Sequence, residues 1–163
     1  MVPIVVMGVA GCGKSTIGKA LAERLGVPYA EADEFHTAAN VAKMHSGMPL
    51  TDEDRAPWLA SIAASIKDGG LVVSCSALKR AYREILRGGH PEAFFVHLVL
   101  TPETAAARVS GRPGHFMPTT LVASQFAILE PLGPDENGVG IDATRPVDTI
   151  VEKAISRMPT HRD

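Results

Sequence analysis

The run Gly8-Val9-Ala10-Gly11-Cys12-Gly13-Lys14-Ser15-Thr16 has the residue types and the spacing to hold phosphate. It fits G-x-x-x-x-G-K-[ST] in full. Glycines open backbone torsions that turn successive N–H groups inward, making a nest for an anion. A helix starting near Ser15 would add the positive end of its dipole. Lys14 is expected to reach the β- and γ-phosphates of a nucleotide, and the Ser15 hydroxyl to ligate Mg²⁺. Cys12 fills a small loop position, since one helix end does not by itself make a reactive thiolate.

Such a loop serves switches, motors and transferases alike. The guanine-reading pattern Asn-Lys-x-Asp is absent from the sequence. The strand expected at Leu71-Val72-Val73 runs on into Ser74-Cys75-Ser76, without the acid that motor ATPases usually place at the end of a core strand. The nearest acids after the loop are Glu31 and Asp33. On a strand extended through Tyr29 to Asp33, both carboxylates lie on one face. One could hold Mg²⁺ through water, while the other accepts a proton from an attacking hydroxyl. The spacing alone suits two solvated acids at a strand end equally well.

Cations follow further along. Arg55 can fork a carboxylate with two parallel bonds. Lys79 and Arg83 lie four apart and would share a face of a helix over Ala77 to Arg87, within a turn of a strand's carboxyl end. A solvated basic face is the other reading of that stretch. His36 and Asn40, also four apart, could bond substrate hydroxyls or serve as loop and cap residues. Trp58, Leu59 and Met44 are assigned to packing, and Asp52 and Asp54 to the acidic start of the helix carrying Arg55.

Alternating elements must position these groups. Short apolar strands are expected at Ile4 to Met7, Tyr29 to Asp33, Leu71 to Val73, Phe94 to Leu100 and Gly138 to Asp142. Helices are expected at Ser15 to Leu25, Asp54 to Lys67, Ala77 to Arg87, after Thr101-Pro102-Glu103, at Thr119 to Glu130 and at Pro146 to Met158. Repeated β–α alternation implies an α/β fold, a parallel sheet covered by helices on both faces. The 163 residues suit one domain, 45% hydrophobic and 21% charged, with a net charge of −2. No overall field draws such a chain to nucleic acid or to an anionic membrane. Cys12 and Cys75 form no CxxC pair, and the opening apolar run is too short for a leader or anchor, so a reducing, cytoplasmic setting is expected.

Beyond the phosphate loop, three blocks resemble the gluconate kinases (gluconokinases), small P-loop kinases related to shikimate and nucleoside-monophosphate kinases. The first is Asp33 to Leu59, D-x-x-H-x-x-x-N-x-x-K-M-x-S-G-x-P-L-x-D-x-D-R-x-P-W-L. The second is CSALKRAYREILR from Cys75, and the third is GHFMPTTLVASQF from Gly114 with EPLGPDE after it. With the loop they span nearly the whole chain in order.

The resemblance implies a P-loop NTPase fold in three αβα layers with a five-stranded parallel sheet. It also implies an acceptor-binding segment near residues 36 to 66 and a lid at 110 to 118. It implies the reaction ATP + D-gluconate → ADP + 6-phospho-D-gluconate with Mg²⁺, in carbohydrate acid catabolism, by a homodimer. Gluconate is a polyol carrying a carboxylate, so Arg55, Lys79 and Arg83 would meet its charge and His36 its hydroxyls. Asp33 would be the base and Arg112 of the lid would approach the transferred phosphoryl group. Arg108 would stack on adenine, near the loop Asp142 to Asp148. His115 and Phe116 of the lid would close over the substrate, and Gln125 belongs to the third block without an assigned contact. The family usually carries aspartate at the place of Glu31, so the Mg²⁺ role of the longer Glu31 is a departure. A kinase for another sugar acid or a shikimate-like acceptor is the nearer alternative. A nucleotide-binding regulatory module without transfer is the further one.

Overall fold

Ile4-Val5-Val6-Met7 is buried at every position and forms β1, the central strand of a sheet in the computed structural model. The structure describes residues 1–48, 50–110 and 119–159. β1 (Ile4–Met7) pairs in parallel with β3 (Val72–Ser74) on one side and with β4 (Phe94–Val99) on the other. Outside these lie β2 (Tyr29–Glu31) and β5 (Gly138–Asp142), giving the order β2-β3-β1-β4-β5 with every pair parallel. Strands buried on both faces read as unbroken apolar runs, which is why β1 shows no alternation.

Successive side chains of β1 nevertheless enter different cores. Ile4 and Val6 pack with Ile17 and Leu21 of α1 (Lys14–Leu25) and with Val151 and Ala154 of α7 (Val147–Arg157). Val5 and Met7 pack with Trp58, Leu59 and Ile62 of α3 (Asp52–Ser65) and with Leu86 of α4 (Arg80–Gly89). The chain leaves β1 for one half of the sheet and returns beside it for the other. The carboxyl end of β1 is therefore the switch point where such sheets bind ligands.

Local signals set most boundaries. α1 ends on Gly26, left-handed at φ 70°, whose N–H caps the last carbonyls. α3 starts two residues earlier than the acids alone suggest. Thr51 is its cap and forms a reciprocal capping box with Asp54. Thr101 caps α5 (Pro102–Ser110) by accepting the Thr104 N–H at 3.2 Å. The remaining helices among the described residues are α2 (Ala38–His45) and α6 (Thr119–Ile128). Met44, expected in the core, is exposed on α2.

Two differences from the sequence expectation bear on function. β2 stops at Glu31, and Ala32–Phe35 form a 3₁₀ turn, so Glu31 and Asp33 do not share a strand face. α4 starts at Arg80, with Lys79 extended as its cap and Ala77 at φ 45°. Lys79 and Arg83 therefore do not share a helical face either.

Arg83 corrects a second expectation. Its side chain is 0% exposed and forks Glu136, Nε to Oε1 at 2.7 Å and Nη2 to Oε2 at 3.0 Å. Nη1 donates to the Ala77 carbonyl at 2.9 Å, which leaves the guanidinium serving the protein's own acid rather than an acceptor. Arg87 adds a bond to Glu136 at 2.5 Å, and the Gly133 N–H another at 2.7 Å. Nearby, Arg80 pairs with Asp135, and the Glu130 carboxylate caps the Arg80 N–H at 2.9 Å. The segment after α6 thus pins the start of α4.

Burial of Glu136 favours its neutral form. The donors from Arg83, Arg87 and Gly133 outweigh that and hold it at about 2, below the usual 4.5. His97 on β4 is pushed down from 6.5 to about 4, by burial and then by the Arg83 charge. Both folded-state values are depressed, so both contributions are present at neutral pH and lost on acidification. Stability should fall from about pH 6.5 as the unfolded state takes up the His97 proton, and further below about pH 4.5 through Glu136. Glu136→Gln should cost about 3–5 kcal/mol at pH 7, because it strands buried guanidinium charge. It should also flatten the lower part of that profile. Urea denaturation of both proteins between pH 7 and pH 3 measures this.

Candidate active site

Gly8 opens the phosphate loop at the end of β1, with φ 147° and its N–H on the Ser76 carbonyl at 3.2 Å. A Cβ there would lie 2.7 Å from Cys12 Sγ and 2.9 Å from the Leu98 carbonyl oxygen, so only glycine fits. Cys12 is buried as the loop's filler, as expected. Gly13 caps α1 in the left-handed region at φ 93° and places no side chain over the helix end. The first N–H groups of α1 are left for a ligand. Lys14 Nζ lies across the loop, donating to the Gly8 and Val9 carbonyls at 3.0 and 3.1 Å. Ser15 and Thr16 are exposed in the first turn of α1.

Tyr29 and Ser74 join this helix to the neighbouring strands. The Tyr29 hydroxyl donates to Ser74 Oγ at 2.9 Å, which itself donates to the Lys14 carbonyl at 2.8 Å. Burial, with Glu31 beside it, pushes Tyr29 up to about 12, against smaller opposing effects of Ser74 and Ser15. Glu31 and Ser15 thus act on the same hydroxyl, in opposite senses.

Asp33 lies exposed in the 3₁₀ turn that follows β2. Cys75, buried just beyond β3, is pushed up to about 12 by burial, and Lys14 and Asp33 both act on it electrostatically. Lys14 follows the carboxyl end of β1 and Asp33 that of β2, so in a parallel sheet both belong to the same edge. A thiol so shifted is an inert packing group.

Arg55 and Lys79 gather around a residue that the sequence reading passed over, Tyr82. Arg55 Nη1 donates to the Tyr82 hydroxyl at 2.9 Å, and the Tyr82 hydroxyl donates to Asp52 Oδ1 at 2.5 Å. The Arg55 guanidinium and the Lys79 ammonium lie 5.3 and 5.5 Å from the Tyr82 ring centre. Lys79 also reaches Asp52 at 3.4 Å. Two cations and one acid thus share a tyrosine, an arrangement able to exchange one carboxylate for another. Tyr82 stands within the second sequence block, but a tyrosine among basic residues carries no local signal of what it gathers.

His36 is stacked on Trp58, ring centres 4.2 Å apart and 13° from parallel, with its Nδ1 buried and without a hydrogen-bond partner. Burial lowers its pKa below 6.5, with smaller opposed effects of Asp33 and Arg55. Asn40 takes a structural part, its amide donating to the Asp54 carbonyl at 2.7 Å to tie α2 to α3. Lys43 reinforces that tie through Asp54 at 2.6 Å.

On the other side of the loop, Arg108 bridges the Gly11 and Ala143 carbonyls at 3.1 Å each. It borders a cavity of about 480 Å³ lined also by Gly13, Thr16, Arg145 and Val147. Gln125 of α6 accepts the Ala10 N–H at 2.7 Å and so holds the rim of the phosphate loop. Arg112 and His115, with the rest of 111–118, lie outside the described residues.

A phosphate loop at the switch point of a parallel sheet, with an acid and a pair of cations beyond the neighbouring strands, defines a P-loop kinase, and the shikimate kinase family model matches residues 10–125. A gluconokinase from Gluconobacter oxydans (strain 621H) is 46% identical over 93% of this chain and 88% of its own, and the thermosensitive gluconokinase of Escherichia coli (strain K12) is 41% identical over 91% and 83%. The chain belongs to the gluconokinase family. The crystal structure of a gluconokinase from Sinorhizobium meliloti 1021 has the same fold at TM-score 0.90 and 43% identity, covering 96% of this chain and 91% of that one.

Proposed function

We propose that this protein transfers the γ-phosphoryl group of ATP to D-gluconate, giving ADP and 6-phospho-D-gluconate. The observation that carries the reading is the Arg55–Lys79 pair held on Tyr82, beyond the same strand ends that carry the phosphate loop and Asp33. The cluster sets two cations against one acid, an excess of positive charge that suits an acceptor carrying a carboxylate. Family membership supports the acceptor, because relatives at 36–46% identity are named gluconokinases.

In this reading the loop N–H groups, with the start of α1, hold the β-phosphate and Lys14 follows the γ-phosphoryl group in transit. Asp33 orients the attacking hydroxyl and takes its proton. Arg55 and Lys79 meet the carboxylate, and His36 faces the hydroxyls. Arg108 borders the adenine cavity, and Arg112 is assigned to the transferred phosphoryl. The donor set suits Mg²⁺, because Ser15 supplies a hydroxyl at the start of α1 and Glu31 a carboxylate at the end of β2, both hard oxygen ligands. When bound, the ion neutralises phosphate charge. The reading retains a cytoplasmic homodimer. No helix among the described residues is long and apolar enough to cross a membrane.

Coupled detection of ADP across gluconate, other aldonates, shikimate and hexoses tests the acceptor. Turnover confined to gluconate is expected, and a preference for shikimate or a hexose would overturn the assignment. Arg55→Ala should raise the KM for gluconate at least tenfold, about 1.4 kcal/mol of lost binding, with the KM for ATP within twofold. A rise in the ATP value instead would move Arg55 to the nucleotide half.

A further inference from the structure

We propose that Trp58 is a positioning residue for the transfer, its indole N–H fixing the turn that presents Asp33. This rests on the reading of Asp33 as the base.

Asp33 has little local support. β2 is three residues long at the sheet edge, and the turn after it is a single 3₁₀ stretch, Ala32–Phe35. Short 3₁₀ segments have poor hydrogen-bond geometry and hold their shape weakly. Within the turn, the cap is the His36 N–H on the Asp33 carbonyl at 3.3 Å. The tie from outside is Trp58, whose Nε1 donates to the Ala32 carbonyl at 2.6 Å in a fully buried bond. That carbonyl begins the peptide unit that leads into Asp33.

The ring of the same residue stacks on His36, at the other end of the turn. Trp58 therefore grips the turn on both sides of Asp33, once by hydrogen bond and once by stacking. It does so from α3, where Arg55 lies three residues earlier and hence on the same face. A single rigid helix thus carries both the cation meant for the acceptor's carboxylate and the post that sets the base. Such a link fixes the distance between the acceptor's two ends as the protein sees them. Misplacing a reacting group by about 1 Å costs on the order of 10²-fold in rate.

Packing alone would also bury a tryptophan here, and the indole N–H is what separates the two roles. The chain contains one tryptophan. Biosynthetic replacement by β-(3-benzothienyl)alanine, which puts sulfur in place of N–H, therefore alters only this site and keeps its size. Kinetics of that protein should show kcat lowered about 10–100-fold and the KM for ATP within twofold, with a cooperative melt whose midpoint falls by only about the few degrees that one buried hydrogen bond is worth. Trp58→Phe, with its melting checked, should give the same split. Adding the replacement to Asp33→Asn should cost little further, because both act through one group.

An unchanged kcat in the benzothienyl protein, beside a collapsed Asp33→Asn, overturns the role of Trp58 and leaves Asp33 as the base. Retained turnover in Asp33→Asn shows instead that the base was misassigned, and the role of Trp58 fails with it. Losses that multiply in the combined protein also overturn the proposal, since Trp58 would then act elsewhere.

Discussion

Lys14→Ala should abolish turnover, lowering kcat by several orders of magnitude while the fold persists. The side chain lies across the mouth of the loop, on the Gly8 and Val9 carbonyls, and not in either core. Its removal leaves the backbone nest and the start of α1 in place, so nucleotide should still bind, more weakly. What disappears is the mobile positive charge that follows the phosphoryl group, and phosphoryl transfer depends chiefly on such electrostatic stabilisation. Single-turnover kinetics with saturating ATP and gluconate, beside a thermal melt, measure the effect. A variant within tenfold of the parent would remove Lys14 from the chemistry.

Asp33→Asn is the companion experiment, and it separates chemistry from binding. Asparagine keeps the size and one acceptor oxygen, and Asp33 is exposed on its turn, so the fold has little to lose. The affinities for ATP and gluconate should change little. The negative charge that draws the proton from the attacking hydroxyl is lost, a role worth about 10²–10⁴ in rate. Calorimetric titration of both ligands, read beside kcat, distinguishes the outcomes. Weakened Mg-ATP binding would give Asp33 the metal role assigned to Glu31. Weakened gluconate binding with turnover retained would make it a positioning group.

Some of this protein could be read directly from contiguous residues. The phosphate loop is legible because its chemistry is backbone chemistry, contained in Gly8 to Thr16 and set by where glycine stands. The α/β class follows from apolar runs too short for helices, alternating with segments of helical period. Caps such as Gly26, Thr101 and the acids before Arg55 act within a turn of themselves, so their signals stay local. Family resemblance then supplied the acceptor, which no spacing of polar residues could name.

The partners of long charged side chains were decided only by tertiary structure. A guanidinium that can fork a carboxylate will fork whichever one the fold brings to it. For Arg83 that is Glu136, 53 positions away, and nothing near Arg83 in the chain signals it. Lys79 and Arg83 looked like one face until the extended backbone at Lys79 placed it ahead of the helix, which starts only at Arg80. Glu31 and Asp33 looked like one strand face until the chain turned at Ala32, where a buried carbonyl meets the indole of a residue 26 positions on. Periodicity reports the path of the backbone while that path is regular. At the ends of strands, where this site is built, the path is set by hydrogen bonds to distant elements, and only the folded chain contains them.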